Sequence, residues 1–123
     1  SVLTQKISDY AVTQVSSAGP TSGSTKSSSD ITILNITFNS DFNADAIVMF
    51  SGVVSCGANS SASMSAIVNG STVQEAYASS GSATLCCNFP IYNITSGNAQ
   101  ISVHNNMVTS FSNCSICVII RKK

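Results

Sequence analysis

Charge is what this chain lacks most. Asp, Glu, Lys and Arg make up 8% of its 123 residues, against about 25% in an average globular domain. Five basic residues balance five acidic ones, so no basic stripe exists to release counterions, and nucleic acid is not an expected partner. The basic tail Arg121-Lys122-Lys123 follows an apolar run and reads as a solvated chain end. Catalytic material is equally thin. There is one His, His104, and one Glu, Glu75. No G-x-S-x-G, paired-carboxylate or Gly-rich phosphate motif occurs. No catalytic residue is assigned, and the chain is not expected to be an enzyme. His104 lies on the Ser102 side of an alternating strand, where a solvent-facing histidine is the ordinary reading. No apolar run approaches the roughly 18 residues of a membrane helix, so membrane insertion is not expected. No signal-peptide pattern is visible. Disorder is disfavoured as well, because apolar content is 43% and net charge is zero, the reverse of the disordered signature. The length fits one domain able to bury a core without metal, cofactor or disulfide.

Ser, Thr and Asn replace charge, with 25, 10 and 11 residues. They solvate a surface without counterions and favour turns, while Thr also suits strands. Along the chain, Val2 to Val15 fits a short helical stripe, a strand or a stem-like extension. Ser16 to Asp30 has no large apolar residue and reads as an exposed loop or linker. From Ile31 onward the periodicity is that of β-structure. Ile31 and Ile33, then Ile36 and Phe38, alternate with Thr, with a phase slip at Leu34-Asn35 that suggests a bulge. Asp41 to Asp45 reads as a turn, and Ala46 to Cys56 as a strand covered on both faces. Ala62, Met64, Ala66 and Val68 form a half-buried strand. Asn69-Gly70 between strand runs is a hairpin signal, because both central residues of a type I′ turn need positive φ. Ser71–Ala78 is the return strand, Ser79–Gly81 a turn, and Ser82–Phe89 a strand limited by Pro90. Ser96–Asn98 reads as another turn, Ala99–His104 as a strand, Asn105–Asn113 as a polar loop and Cys114–Arg121 as a closing strand. The expectation is an all-β sandwich or barrel. Its core should hold Val48, Phe50, Val54, Ala66, Val68, Leu85, Ile101, Val103, Ile116, Val118 and Ile120. Glycosylation sequons stand at Asn35, Asn59, Asn69, Asn93 and Asn113. A composition this rich in Ser and Thr produces such triplets by chance, and the turn explains Asn69 better.

The order of signals from Ala44 to the C-terminus carries a resemblance. A long apolar strand (Ala46–Cys56), a loop, a strand ending in Val68-Asn69-Gly70, a hairpin return, Ser96-Gly97-Asn98, an Ile101–Val103 strand and a last hydrophobic strand follow one another. This resembles the jelly-roll globular heads of the complement-component and tumour-necrosis-factor superfamily. It is similar too to the trimeric heads of viral and phage fibres and of some spore-surface collagen-like proteins. The chain departs from the pattern in having only Phe50 where an aromatic-rich segment is common, and Gly97-Asn98 where Gly-Asp is common. The resemblance implies an antiparallel jelly-roll β-sandwich of about eight to ten strands, assembled as a homotrimer. Residues 1–30 would be an N-terminal extension and Ser/Gly-rich loop leading from a stalk, and residues 31–123 the head. It also implies a location at the virion surface (a fibre tip), or otherwise on a cell or spore surface.

The five cysteines, Cys56, Cys86, Cys87, Cys114 and Cys117, cannot all pair within one chain. Cys114-x-x-Cys117 looks like half a zinc site, but strand positions three apart point to opposite faces. No metal is assigned, and reduced cysteines packed as small hydrophobes are the plain reading. The jelly-roll resemblance implies more. It makes the strands at 46–56, 82–89 and 114–121 neighbours, so the five sulfurs should gather at one end of one sheet, with at least one pair within disulfide reach. The same topology sets the loops at Gly57–Ser61, Ser79–Gly81 and Asn105–Ser112 opposite the chain ends. Asn59, Ser79, Ser80, Asn105, Asn106 and Thr109 are then the candidate contacts to a host-cell glycan or protein receptor. A structural coat domain with no specific ligand is the alternative.

Overall fold

The computed structural model describes residues 12–26, 30–105 and 108–122. Six strands account for nearly all of them: β1 (Val12–Lys26), β2 (Ile31–Cys56), β3 (Ser61–Val68), β4 (Ser71–Ser79), β5 (Ser82–Asn105) and β6 (Val108–Lys122). All pairings are antiparallel, in the order β1-β6-β2-β5-β3-β4.

Two of the strands are long because they serve two walls. β2 and β5 pair from Ile31↔Val103 to Ser55↔Ser82, with irregular register around Asn39, Ala44 and Ala46. Beyond that irregularity each takes a different second neighbour. β6 joins β2 only from Ala44 onward, and β3 joins β5 only over Ala99–Asn105. The first wall is therefore β1, β6, the second half of β2 and the first half of β5. The second wall is the first half of β2, the second half of β5, β3 and β4. Counted as eight segments in chain order, the walls run 1-8-3-6 and 2-7-4-5, which is the pairing of a jelly roll. The walls face each other: a Cβ placed on Gly52 of the first would meet the Met64 sulfur of the second at 3.0 Å and the Cys114 sulfur at 2.9 Å.

Alternation decides what lies between the walls. In β3, Ala62, Met64, Ala66 and Val68 are buried while the serines between them are half-exposed. All eleven expected core residues are buried, and Phe38, Ala44, Ala46, Ala99 and Cys114 join them in one cluster. Burying side chains of the Val, Leu, Ile and Phe class is worth ~1.5–3 kcal/mol each, so the large residues of this cluster hold the walls together.

Several expectations need correction. Ser16 to Lys26 is strand, not loop: β1 pairs with β6 from Val12↔Arg121 to Lys26↔Val108. A boundary at residue 30 would cut this strand from its wall, while residues 1–11 and 27–29 lie outside the described residues. Among the described residues the strands number six, because β2 runs through Asp41–Asp45 and β5 through Pro90 and Ser96–Asn98, where eight to ten were expected. Pro90 is tolerated because its half of β5 is an edge, paired with β2 alone, where a missing N–H costs no ladder bond. Val108 to Asn113 opens β6 rather than forming a loop.

The Asn69-Gly70 turn is observed, with φ of 50° and 84°. Asn98 pins it: the Asn69 N–H donates to the Asn98 carbonyl at 2.9 Å, and the Asn98 N–H donates to Asn69 Oδ1 at 2.9 Å. The start of β1, the end of β6 and this turn share one end of the sandwich. The β2–β3 turn, the β4–β5 turn and the end of β5 share the other, since Cys56 pairs with Thr109, Ser61 with Ser79 and Ala62 with Asn105.

Candidate functional site: the turns at the far end and one open wall

At the end away from the chain termini, two turns are locked to one another. In the β2–β3 turn the Ser60 hydroxyl donates to the Gly57 carbonyl at 2.7 Å. The Asn59 N–H donates to the Ser80 hydroxyl at 3.0 Å, and the Ser80 N–H donates back to the Ser60 carbonyl at 3.0 Å. The Cys56 N–H reaches the Gly81 carbonyl at 2.8 Å. Asn59 and Ser80 hold positive φ, 61° and 51°, a conformation Asn tolerates better than most residues. The result is a rigid surface on which Asn59, Ser79 and Ser80 are exposed together. His104 lies near the same end, its Nδ1 2.9 Å from Asp30 Oδ1, with both side chains well exposed.

Two candidates do not fit this surface. Thr109 is 1% exposed, held opposite Cys56 inside the first wall, so it cannot meet a target. Asn106 lies outside the described residues. Asn105 ends β5 at this end, paired with Ala62.

The cysteines all fall on the first wall, as the topology implied, but they are not gathered at one end and none is bridged. Only Cys56 is at the far end. Cys86 and Cys87 face Ser51 and Phe50, and Cys117 faces Met49, all near the middle of the wall. All five are free. The reason is register: β2 runs between the two strands that carry the other four, so Cys86 or Cys87 sits two strand spacings, about 9–10 Å, from Cys114 or Cys117. A disulfide needs roughly 4.4–6.8 Å between Cα atoms. Burial pushes the Cys114 and Cys87 thiols above their ordinary value, which keeps them protonated and unreactive. Among the described residues no three His, Cys, Asp or Glu side chains gather as a metal site would require.

The expectation that Ala46–Cys56 is covered on both faces holds for its inner face alone: within this chain the outer face of the first wall is open, with Ile47 exposed. Val15, Ile119, Ile47 and Pro90 sit side by side across all four of its strands. Val15 is 60% exposed, Ile47 46%, and nearby Tyr92 62%. Ile47, Pro90, Tyr92 and Ile119 line a groove of about 280 Å³ closed at one side by Asp45 and Arg121. Asp45 is nearly buried. Its Oδ1 accepts the Asn93 N–H at 3.1 Å, and its Oδ2 lies 3.7 Å from the Arg121 guanidinium. Toward the far end the same face turns to hydroxyls, with Ser51 and Ser115 in contact at 2.8 Å and Ser55 and Ser82 at 2.8 Å. Alternation in Ala46–Cys56 could have given part of this signal, since the run is too apolar for one buried face.

With this geometry in hand, similarity to solved structures can be placed. The chain is similar to a domain in the T13 viral particle of infectious bursal disease virus, at 15% identity and a TM-score of 0.55, over 88% of this chain and 31% of that one. What is shared is the fold. The VP2 subviral particle of the same virus gives 15% identity and 0.55 over 33% of its chain. A mutant VP2 in T=1 particles gives 16% and 0.57 over 32%. This chain thus spans about a third of the length of those proteins. No protein-family model and no curated protein matches the sequence. These viral particle proteins thus support the jelly-roll part of the resemblance, while the tumour-necrosis-factor family is not shown.

Proposed function

We propose that this chain is a structural domain of a virus or phage surface. In this reading it is a jelly-roll head that assembles with copies of itself as a homotrimer and presents its far-end turns to a glycan or protein receptor on the host. It carries out no reaction and needs no cofactor. The observation that supports it is the separation of the two ends. The chain enters at Val12 and leaves at Lys122 side by side, while the Asn59 and Ser79-Ser80 turns stand at the opposite pole. A stalk or a longer coat chain joined at the first pole would hold the second outward, where a target meets it first. Rigid turns rich in hydroxyls and amides offer donors and acceptors suited to sugar hydroxyls, at little ordering cost. The likeness to viral particle proteins supports a virion setting.

A second reading, a coat domain with no ligand of its own, is favoured by one detail. The Asn59 and Ser80 N–H groups, and one acceptor site of the Ser80 hydroxyl, are already used within the turns, so fewer groups are left for a target. A glycan array and host-cell binding by the intact oligomer separate the two. Binding is expected, and it should be lost in the double variant Asn59→Gly, Ser79→Ala, in which glycine preserves the positive φ. Absence of binding by the wild-type protein would favour the coat domain. Binding untouched by the double variant would move the site off these turns.

A further inference from the structure

The two walls differ on their outer faces. The second wall exposes Glu75, Tyr77 and His104 among polar neighbours. The first exposes no charged side chain among its described residues between the Asp45–Arg121 pair and the far end. Half of that face is the apolar band around Val15, Ile119 and Ile47, and the other half is neutral hydroxyl. We infer that the outer face of the first wall is a self-association surface whose occupant is a second copy of this chain. This rests on the self-assembly part of the proposed function and names the face that does it.

Four arguments select a second copy. The first is composition: depletion of charge together with apolar and aromatic residues marks the core of an interface. The second is size. Four strands by about twelve residues give a face of about 19 by 40 Å, or ~760 Å², close to the ~800 Å² per partner of a standard stable interface. The third is electrostatic. The chain has zero net charge, and the charges described on this face are the paired Asp45 and Arg121, so identical copies meet with little repulsion. The fourth concerns the edges. The chain has two prolines, and they stand on the two edge strands of this wall, Pro20 on β1 and Pro90 on the first half of β5. Proline removes an edge donor and blocks strand addition. Copies are thereby turned away from pairing along the edges of this wall. The apolar band lies at the end of the sandwich where the chain enters and leaves, away from the far-end turns.

Light scattering coupled to size exclusion tests this with two lysine variants. Ile47→Lys places a charge in the middle of the band. Tyr77→Lys, 64% exposed on the other wall, is the control. Wild type and Tyr77→Lys should run as the same oligomer. Ile47→Lys should run as a monomer with an unchanged circular dichroism spectrum and urea midpoint, both read at monomer concentrations. A wild-type monomer at high concentration, an Ile47→Lys oligomer of wild-type mass, or dissociation by Tyr77→Lys would each overturn the assignment. Target binding by the far-end turns is scored separately. A protein that oligomerises through another face and still binds its target loses this inference and keeps the receptor reading.

Discussion

Gly97 should be irreplaceable for a reason that has nothing to do with its φ, which is negative or extended. It pairs across the ladder with Phe38, and the Phe38 ring, 2% exposed, lies over it. A Cβ at position 97 would stand 2.5 Å from the ring Cζ and 2.6 Å from Cε2. Ordinary contact begins near 3.4 Å, so the ring would have to retreat by 0.9 Å in a core with no slack. Overpacking of this kind costs ~1–3 kcal/mol. Against it, alanine relieves the backbone entropy cost of glycine in a strand by ~0.5–1 kcal/mol. Gly97→Ala should therefore lose up to ~2.5 kcal/mol net in a urea titration. The decisive measurement is a double-mutant cycle with Phe38→Leu. The shorter side chain frees the space, so Gly97→Ala in that background should be neutral or stabilising, with a coupling of ~1 kcal/mol or more. Equal costs in both backgrounds would refute the steric account, and a stable single variant would show that Phe38 is free to move.

Two further outcomes follow from burial. Phe50→Ala should cost ~3–5 kcal/mol in a denaturant titration, because the ring is enclosed between the walls; a loss below ~1 kcal/mol would place it outside the core. The Cys114 thiol is held above its ordinary value of 9.0 by burial. Its contribution should be complete below pH 9.0 and decline as pH rises through 9.0 toward the folded value, so stability measured above pH 9.0 should show an alkaline loss that is smaller in Cys114→Ala. An identical slope in the variant would mean that Cys114 is not the group being titrated.

The sequence was legible where side chains repeat with period two and where turn chemistry is unambiguous. Ala62, Met64 and Ala66 alternate with Ser63 and Ser65, and Ile101 and Val103 with Ser102 and His104, so that part of the core could be read directly. Asn69-Gly70 announced its hairpin. Legibility failed where backbone pairing alone holds a strand. β1 has no large apolar residue across Ser16–Lys26, because it is an edge whose bonds all run to β6. Its glycines read as linker, yet Gly23 lets the chain pass over Phe111, where a Cβ would be 3.1 Å from the ring. Asp41–Asp45 and Ser96–Asn98 have turn composition but sit where β2 and β5 cross between walls, and irregular register absorbs the change. Asparagine was legible only in part. Asn59, Asn93 and Asn113 hold φ of 61°, 55° and 52° as Asn69 does, so four of the five sequon asparagines sit in left-handed positions that account for them. The cysteine gathering failed for want of register, since topology names neighbouring strands and not the positions along them. The exposed apolar band was hidden for the same reason: Val15, Ile119, Ile47 and Pro90 are far apart in sequence and only register sets them in one row.

Scarcity of charge and the placement of the charges that exist make one argument. Of the described ionisable side chains, Asp45 faces Arg121, Asp30 faces His104, and Glu75 accepts the Ser65 hydroxyl at 3.2 Å. These lie at the near end, toward the far end and on the second wall. A lysine or glutamate row on the first wall would have made it a conventional solvated face and cost nothing in the fold, because its outward positions do not enter the core. Serine, threonine, asparagine, cysteine and apolar residues occupy those positions instead. They keep the face hydratable enough for a monomer to exist during folding, yet free of the desolvation cost that buried charges would impose on contact. In the self-association we propose, the scarcity of charge at the outward positions of this wall lets a second copy cover it without that cost.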